Sequence, residues 1–482
     1  MISTNYIVAI DLGTSYIKGI IGTRSLTGVF TVIACETESS VGCIRRGVIY
    51  NVENTSHRII TLLRKLANRV PGIQIKKVYV GVSGQSIHSI DHVVAKSLGA
   101  DGEVKKETID ALYDECQTFK PDGLDVLSIA SPAFYLDGNH EINPVGIPCS
   151  CIEARYKLIV CRPSLKRHVI NSIERAKIEI LGIFISPLAL ADVVLSEDEK
   201  DLGCALLDFG AGVASLTIFK NKRLIGLCTI PLGSHLITRD ITGLNVVEPE
   251  AERLKRTYGD AIADKENDSL VQVNSINGAG PRQIKSSEIN EAVKARLQEI
   301  LENVHARLEE SGVADKLSAG MIITGGGASL KNFDKAVRER FGMAVRYASV
   351  NKTFFEKTNI PIEPEYGVVA GLLLKGTMNC SYTPPVSPPV KKVSVEVPAG
   401  VEKSEEEPKV EESKIERPER KERDRPEIKS PVGRGKRGKS FFDKMTGFAN
   451  ILFDDKDYEE DDDVRKNDTG KKETNNINKP EE

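Results

Sequence analysis

Two aspartates occupy matching places in a pattern that occurs twice in the chain. Residues 7–21 read IVAIDLGTSYIKGII and residues 204–218 read CALLDFGAGVASLTI, so Asp11 coincides with Asp208 at an offset of 197 positions. A carboxylate at the end of an apolar strand is costly to bury unless it has a partner. The glycine-containing turns that follow can direct backbone N–H groups at an anion. A divalent cation that keeps most of its waters can join such a carboxylate to a phosphate.

The repeat predicts a polyphosphate site in which two hairpin turns hold the ligand from opposite sides of a cleft. One such turn alone is more often an ordinary hairpin, and the matching register of two in one chain is what favours the site. We predict that Asp11 and Asp208 bind the waters of Mg²⁺. The predicted phosphate-binding residues are those of the two turns: Gly13, Thr14, Ser15, Tyr16, Gly210, Ala211 and Gly212.

A glycine run later in the chain suggests where a nucleoside would bind. Residues 321–333 read MIITGGGASLKNF, an apolar strand followed by glycines and then by Ala328 and Ser329, which we predict to open a helix. A backbone without side chains lets a flat base or an α-phosphate lie against the chain, near a helix N-terminus. An ordinary strand-to-helix turn is the alternative. The predicted adenosine contacts here are Gly325, Gly326, Gly327 and Ala328. Residues 433–440 read GRGKRGKS and fit the spacing GxxxxGK[ST], but no strand-like run precedes them, so they do not indicate a P-loop protein.

The elements that must position these residues are strands and helices in alternation over residues 1–380. Runs such as IVAIDL, VYVGVS and CALLDF are strand-like, whereas TSHRIITLLRKLANRV and EINEAVKARLQEILENVHARLEE have helical spacing. This alternation predicts an α/β architecture. Together with the repeat, it predicts two duplicated halves of β-sheet with helices around a nucleotide cleft.

Bulk composition excludes several classes of protein. The net charge of −3 supplies no basic field for nucleic acid, so no nucleic-acid partner is expected. Nine scattered cysteines without a CxxC pair predict buried, reduced thiols. The polar start MISTNY predicts no signal peptide. No window approaches ~18 consecutive apolar residues, so we expect no membrane span.

The C-terminal hundred or so residues have a different composition. Residues 381–438 are rich in proline and mixed charge, which predicts a disordered linker. Residues 439–454 read KSFFDKMTGFANILFD and place an apolar stripe within about 140° of a helical wheel. A basic approach over residues 429–439 and this stripe predict an in-plane helix on an anionic membrane surface, with docking onto a protein as the alternative. The predicted membrane contacts are Lys439, Phe441, Phe442, Met445, Phe448, Leu452 and Phe453. Residues 455–482 form an acidic, disordered tail.

The two Asp-x-Gly turns and the strand that ends in Gly-Gly-Gly-Ala resemble the motifs of the actin, DnaK and sugar-kinase ATPase superfamily. Within this superfamily the sequence resembles the FtsA family of bacterial cell-division proteins. The resemblance covers nearly all of residues 1–380 and the C-terminal apolar stretch. Three further segments carry it: residues 143–180, residues 230–259 and the closing PEYGVVAGLLL of residues 364–374. It implies an actin-like ATPase fold with an FtsA-type inserted subdomain, and it implies that Glu252 and Lys255 reach the ribose or adenine. Without the resemblance, the types and spacing of Glu252 and Lys255 would favour an ordinary i,i+3 ion pair on the helix surface.

The resemblance also implies a division of the chain into four subdomains. The first ATPase half comprises residues 1–83, 163–202 and 366–380, and the inserted subdomain comprises residues 84–162. The second half comprises residues 203–245 and 305–365, and residues 246–304 form a fourth subdomain that faces FtsZ.

The activity implied is that of an ATP-binding protein that polymerises on the cytoplasmic face of the inner membrane and tethers FtsZ filaments at the division septum. Its partners would be FtsZ, further copies of itself, the membrane and other divisome proteins. The family's second turn usually reads Asp-x-Gly-Gly-Gly-Thr, whereas Ala211 and Val213 stand here in place of a glycine and the threonine. Because a hydroxyl that could position water is missing, we expect at most a weak ATPase whose nucleotide state controls assembly.

Other functions on the same fold remain open at this stage. A small-molecule kinase of the sugar- or acetate-kinase type would need an acceptor pocket with a general base, and no such group of residues stands out. A DnaK-like chaperone would need a β-rich domain that residues 381–438 cannot supply. A pilus-assembly relative would share the inserted subdomain but lack the long linker and terminal helix.

Overall fold

A computed structural model describes residues 5–99, 102–262, 268–273, 282–356 and 362–382. All of these residues belong to one compact unit that spans residues 1–384. The predicted linker from residue 383 onward, the amphipathic helix and the acidic tail, with the seven predicted membrane contacts, lie outside the described residues. Ser381 and Tyr382, predicted as the start of the disordered linker, instead form a short strand that pairs with Gln74 and Ile75, because backbone hydrogen bonds to that strand are available there. No helix in the described ranges is long and apolar enough to cross a membrane.

Strands and helices alternate through the described ranges. The strands are β1 (Tyr6–Leu12), β2 (Tyr16–Arg24), β3 (Phe30–Ser39), β4 (Ile44–Arg45), β5 (Val48–Ile49), β6 (Gln74–Ile75), β7 (Lys77–Val82), β8 (His88–Ser97), β9 (Asp125–Ile129), β10 (Ala133–Leu136), β11 (Asn139–Glu141), β12 (Cys151–Cys161), β13 (Glu179–Ile185), β14 (Cys204–Phe209), β15 (Ala214–Lys220), β16 (Arg223–Ile230), β17 (Leu270–Val273), β18 (Arg282–Lys285), β19 (Met321–Thr324), β20 (Val345–Tyr347) and β21 (Ser381–Tyr382). The helices are α1 (Val52–Asn68), α2 (Lys106–Thr118), α3 (Pro163–Arg175), α4 (Ser186–Val194), α5 (Glu197–Leu202), α6 (Ser234–Thr242), α7 (Glu248–Tyr258), α8 (Ser286–Glu310), α9 (Phe333–Phe341) and α10 (Gly367–Lys375).

Two sheets repeat one topology. The first has the strand order β13-β7-β1-β2-β3, and the second contains the run β20-β19-β14-β15-β16. In each, an antiparallel three-strand meander is extended by two parallel strands. The register matches as well, because Asp11 pairs with Lys18 across the first hairpin and Asp208 pairs with Ser215 across the second. The predicted α/β fold with duplicated halves is confirmed.

The chain between β7 and α3 folds as an inserted α/β layer. Its longest strand, β12, pairs antiparallel with β8 along ten positions, and on its other side it pairs with β9 and β10. The layer has a hydrophobic core of its own, which includes Val94, Leu112 and Leu158. Strand β8 also joins β16 through the pair His88 and Cys228, so the inserted strands continue the second sheet.

Local signals explain where the long helices begin and how two helices meet. Helix α1 starts before the predicted stretch because the side chain of Asn51 accepts a hydrogen bond from the backbone N–H of Asn54 at 2.9 Å. Helices α4 and α10 pack closely, since a Cβ at Gly371 would stand 1.9 Å from the carbonyl oxygen of Ala189. All nine cysteines are free thiols, as predicted, and six of them are buried, whereas Cys35, Cys151 and Cys228 are half-buried. Burial raises the pKa of the Cys204 thiol to about 12.

Candidate functional site

Asp11 and Asp208 are the second-to-last residues of the central strands β1 and β14, and they are close enough for the charge of Asp11 to affect Asp208. Burial, helped by the negative charge of Asp11, raises the pKa of Asp208 to about 6. Burial also raises the pKa of Asp11, although a hydrogen bond from Ser186 Oγ to Asp11 Oδ1, 2.6 Å long, favours the charged form. The positive charge of Lys18 acts on both carboxylates. A pair of buried, mutually repelling carboxylates is the environment that a divalent cation relieves.

The two predicted phosphate turns touch each other. A Cβ placed on Gly212 would stand 2.5 Å from Thr14 Oγ1, so only glycine permits this approach. The same Thr14 hydroxyl accepts a hydrogen bond from the backbone N–H of Gly47 at 2.9 Å. The side chain of Ser40 donates to the carbonyl of Gly13 at 2.7 Å, and its backbone N–H donates to the carbonyl of Ser15. The structure therefore brings the two turns together and braces the first of them.

The start of helix α6 braces the second turn. The backbone N–H groups of Ser234 and His235 donate to the carbonyls of Gly210 and Ala211, at 3.0 and 2.8 Å. A further bond, from the N–H of Gly210 to the carbonyl of Val213, closes the turn. Val213 is only 8% exposed. Tyr16, the last residue predicted for the first turn, begins β2 and is 53% exposed.

The three glycines after β19 have three different surroundings. Gly325 has a φ of +90°, and a Cβ there would stand 2.5 Å from Asp208 Oδ1, whereas a Cβ on Gly326 would meet nothing within 4 Å. Gly327 packs against the ring of Phe209, and Ala328 is buried. The run thus lies directly beside the second aspartate, with one glycine open to a ligand.

The prediction that Ala328 and Ser329 open an α-helix is wrong. Residues Gly326–Ser329 form a 3-10 turn, and α9 begins at Phe333. The intervening Asn332 adopts a left-handed conformation with φ of +58°, which cannot continue a right-handed helix. Its side-chain amide holds this geometry by donating to both carboxylate oxygens of Asp260 at 2.9 Å.

Glu252 and Lys255 form an ion pair on α7 in which the lysine is buried, whereas the side chain of Glu252 is 43% exposed. The amine of Lys255, a residue only 8% exposed, lies 2.7 Å from Glu252 Oε2 and donates to the hydroxyl of Thr238 and the carbonyl of Ser234. Although burial raises the pKa of Glu252, the hydrogen bonds from Lys255 and Thr238 outweigh it and lower that pKa. The three N–H donors of Lys255 are thus used inside the protein. Among the described residues Glu252 Oε1 has no partner, so it is the atom of this pair available to a ribose hydroxyl.

Substitution of Lys255 tests this structural role. Lys255→Met removes the link between α6 and α7, and we expect the free energy of unfolding to fall by about 1–3 kcal/mol. The matched control is Arg256→Met, one residue along the same helix and exposed, which should change it by less than ~0.5 kcal/mol. Urea unfolding followed by circular dichroism measures both. Equal, small effects of the two substitutions would contradict the structural role.

Some residues of this site gave no signal in the sequence. Other elements of the chain bring them there through hydrogen bonds or close contacts: Ser40, Arg46 and Gly47 reach the turns, and Ser186 reaches Asp11. The Ser-Pro start of α4 was visible, but nothing in one sequence says that this helix begins beside Asp11.

Two equivalent hairpins, each with an aspartate near the end of its first strand, on two half-sheets of one topology, define the class of actin-like ATPase folds. The structure of the PilM-PilN type IV pilus biogenesis complex shares this fold, with a TM-score of 0.53 and 18% sequence identity, over 77% of this chain and 98% of that chain.

Sequence comparison narrows the class to a family. The FtsA of Porphyromonas gingivalis is 34% identical over 376 residues, which are 77% of this chain and 78% of that protein. The FtsA of Bacillus subtilis is 31% identical over 350 residues, covering 71% and 78%. The family description "Cell division protein FtsA" matches residues 205–371, and "SHS2 domain inserted in FTSA" matches residues 84–160. The chain belongs to the FtsA family of cell-division proteins.

Proposed function

We propose that this division protein binds ATP with Mg²⁺ in the cleft between its two halves, and that nucleotide binding controls its assembly. The observation that carries the proposal is the contact of the two glycine turns, Thr14 against Gly212, beside the carboxylates Asp11 and Asp208. Turns that meet in this way present backbone donors from both halves to one anion. A bound nucleotide would therefore link the halves.

The residues present fit Mg²⁺. Mg²⁺ keeps several waters and is bound through one or two carboxylates together with substrate phosphates. Asp11 and Asp208 would hold its waters, and the ion would neutralise the charge of the phosphates and of this carboxylate pair. Gly13, Thr14, Ser15 and Tyr16 would bind phosphate from the first half.

From the second half, Gly210, Ala211 and Gly212 would bind phosphate, and residues 325–328 would line the base. The carboxylate of Glu252 would accept a hydrogen bond from a ribose hydroxyl, and Lys255 would hold that carboxylate in position. Hydrolysis would be slow, because Val213 is apolar and buried at the position where the family's usual turn carries a hydroxyl.

We further propose that the chain polymerises on the inner membrane and tethers FtsZ filaments at the septum, together with other divisome proteins. Family membership and the sequence pattern of residues 439–454 support this role. The four subdomains would follow the predicted boundaries, with residues 246–304 as the surface toward FtsZ. The linker of residues 381–438 would let the ATPase body reach filaments some distance from the bilayer.

Co-sedimentation with anionic liposomes and purified FtsZ tests the tether, with and without ATP. We expect FtsZ to reach the pellet with the full chain and not with a chain truncated after Gly438. A matched pair refines the result, because Phe448→Glu places a charge on the apolar stripe and Asn450→Glu places the same charge off it. Only the first should abolish pelleting. If both variants pellet as the full chain does, the helix is not the anchor.

A further inference from the structure

A two-residue hairpin turn, Arg46-Gly47, stands where the two phosphate turns meet. It joins β4 to β5, and both of its residues have positive φ angles, +47° for Arg46 and +74° for Gly47. Such turns favour glycine, asparagine or aspartate at both positions, because other residues are strained there. An arginine in this conformation is unusual, and strained residues of this kind cluster at functional sites.

The contacts of this turn fix its place at the junction. The backbone N–H of Gly47 donates to Thr14 Oγ1 at 2.9 Å, in the first phosphate turn. A Cβ on Gly212, in the second phosphate turn, would stand 3.0 Å from the Cα of Arg46. The carbonyl of Arg46 accepts from the backbone N–H of Gln85 at 3.2 Å, which holds the turn from behind. The backbone of Arg46 therefore touches the second phosphate turn, and the next residue, Gly47, is hydrogen-bonded to the first.

The two adjacent arginines differ in what their side chains contact. The guanidinium of Arg45 lies over the ring of Tyr50, 4.3 Å from its centre, and the residue is exposed. Arg46 is half-buried, and in the part of the chain that the structure describes its guanidinium has no hydrogen-bond or ion-pair partner. Arginine carries five N–H donors in a geometry that suits phosphate oxygens. A half-buried guanidinium with no protein partner therefore has donors available for an anionic ligand.

We propose that Arg46 binds the terminal phosphate of the nucleotide and so distinguishes the triphosphate from the diphosphate. The inference rests on the proposed nucleotide function. In the proposed binding mode the base would lie against the open Gly326, which follows Gly325 beside Asp208, and the phosphate chain would run past the two aspartates toward the contact of Thr14 with Gly212. The last phosphate would lie at that contact, where Arg46 stands. Arg46 would thereby couple the nucleotide state to the position of the β4–β5 hairpin.

Equilibrium binding of ATP and of ADP, each with Mg²⁺, to the full chain tests the proposal. For Arg46→Gln we expect the Kd for ATP to rise at least tenfold, about 1.4 kcal/mol, and the Kd for ADP to change less than threefold. Arg46→Lys should recover part of the loss. The matched control is Arg45→Gln, which removes the same charge one residue away and should leave both constants unchanged.

Arg46→Gly shows whether a loss of binding comes from misfolding. Because glycine adopts a positive φ without strain, this variant should unfold at the same temperature as the parent or at a higher one. It should nevertheless bind ATP as weakly as Arg46→Gln. Equal loss of ATP and ADP affinity in Arg46→Gln would overturn the assignment to the terminal phosphate. An equal loss in Arg45→Gln would overturn it as well, because a long-range charge effect would then suffice. If the unmodified chain binds neither nucleotide, the proposed function fails first and this inference fails with it, whereas nucleotide binding with an inert Arg46 overturns the inference alone.

Discussion

Replacing Asp208 by asparagine should make the nucleotide-free protein more stable at pH 7 and remove its stabilisation by MgATP. Burial and the charge of Asp11 raise the pKa of Asp208 to about 6, so the folded protein carries a strained charge at neutral pH. A shift of this size corresponds to about 2–3 kcal/mol of unfolding free energy, which the neutral amide would restore. Urea unfolding in EDTA, without nucleotide, measures the gain.

The effect of Asp208 on the free energy of unfolding depends on pH. The folded protein binds a proton at Asp208 near pH 6, whereas the unfolded chain does so near pH 4. Between these values the folded state holds more protons, so the stability of the unmodified chain falls as the pH rises from about 4 to about 6. The stability difference between variant and parent should therefore be small below pH 4 and reach its full size above pH 6.

Ligand response separates a binding carboxylate from a merely strained one. The parent should gain stability when MgATP is added, because a ligand that binds only the folded state stabilises it. Asp208→Asn should lose most of this gain although it is the more stable protein without ligand. Asp201→Asn, at an exposed aspartate near the start of β14, is the control and should change neither quantity. A variant that keeps the full response to MgATP would contradict the role of Asp208 at the metal.

The aspartate hairpins could be predicted from sequence because each is a local pattern, and its repetition gave the register. The residues that complete the site could not be predicted, because they are brought there by long-range packing. Ser186 reaches Asp11 across 175 positions, and Gly47 reaches Thr14 across 33. The start of α9 was misplaced for a related reason, since the left-handed Asn332 is held by Asp260, 72 positions earlier. A single sequence records none of these pairings.

For the pair Glu252 and Lys255, the sequence predicted the contact but not its burial. Its spacing predicted an ion pair, and the ion pair exists, but spacing could not say that the lysine would be buried against α6. Burial changes what the pair can do, because a lysine whose donors are all satisfied positions its partner instead of binding a ligand. Residue types therefore indicated the kind of contact, and the packing of α6 against α7 determined that the donors of the lysine are all satisfied inside the protein.

Alanine at Gly325 should destabilise the protein by at least ~3 kcal/mol, because its conformation is open almost only to glycine. With φ of +90° and ψ of 160°, the added Cβ would stand 2.4 Å from the carbonyl oxygen of Phe209 and 2.5 Å from Asp208 Oδ1. Neither atom can move without distorting the end of β14. Thermal and urea unfolding of Gly325→Ala measure the loss.

Alanine at Gly326 is the matched substitution, and it should have the opposite profile. That glycine is exposed, its φ is not in the left-handed range, and a Cβ there would meet nothing within 4 Å, so stability should change by less than ~0.5 kcal/mol. If the base lies against this backbone, the methyl group occupies its place, and ATP affinity should fall by about tenfold, or ~1.4 kcal/mol. Unchanged ATP binding in Gly326→Ala would mean that the glycine run is only a turn after β19. A loss confined to affinity would mean that one glycine of the run maintains the fold while its neighbour is kept open for the ligand.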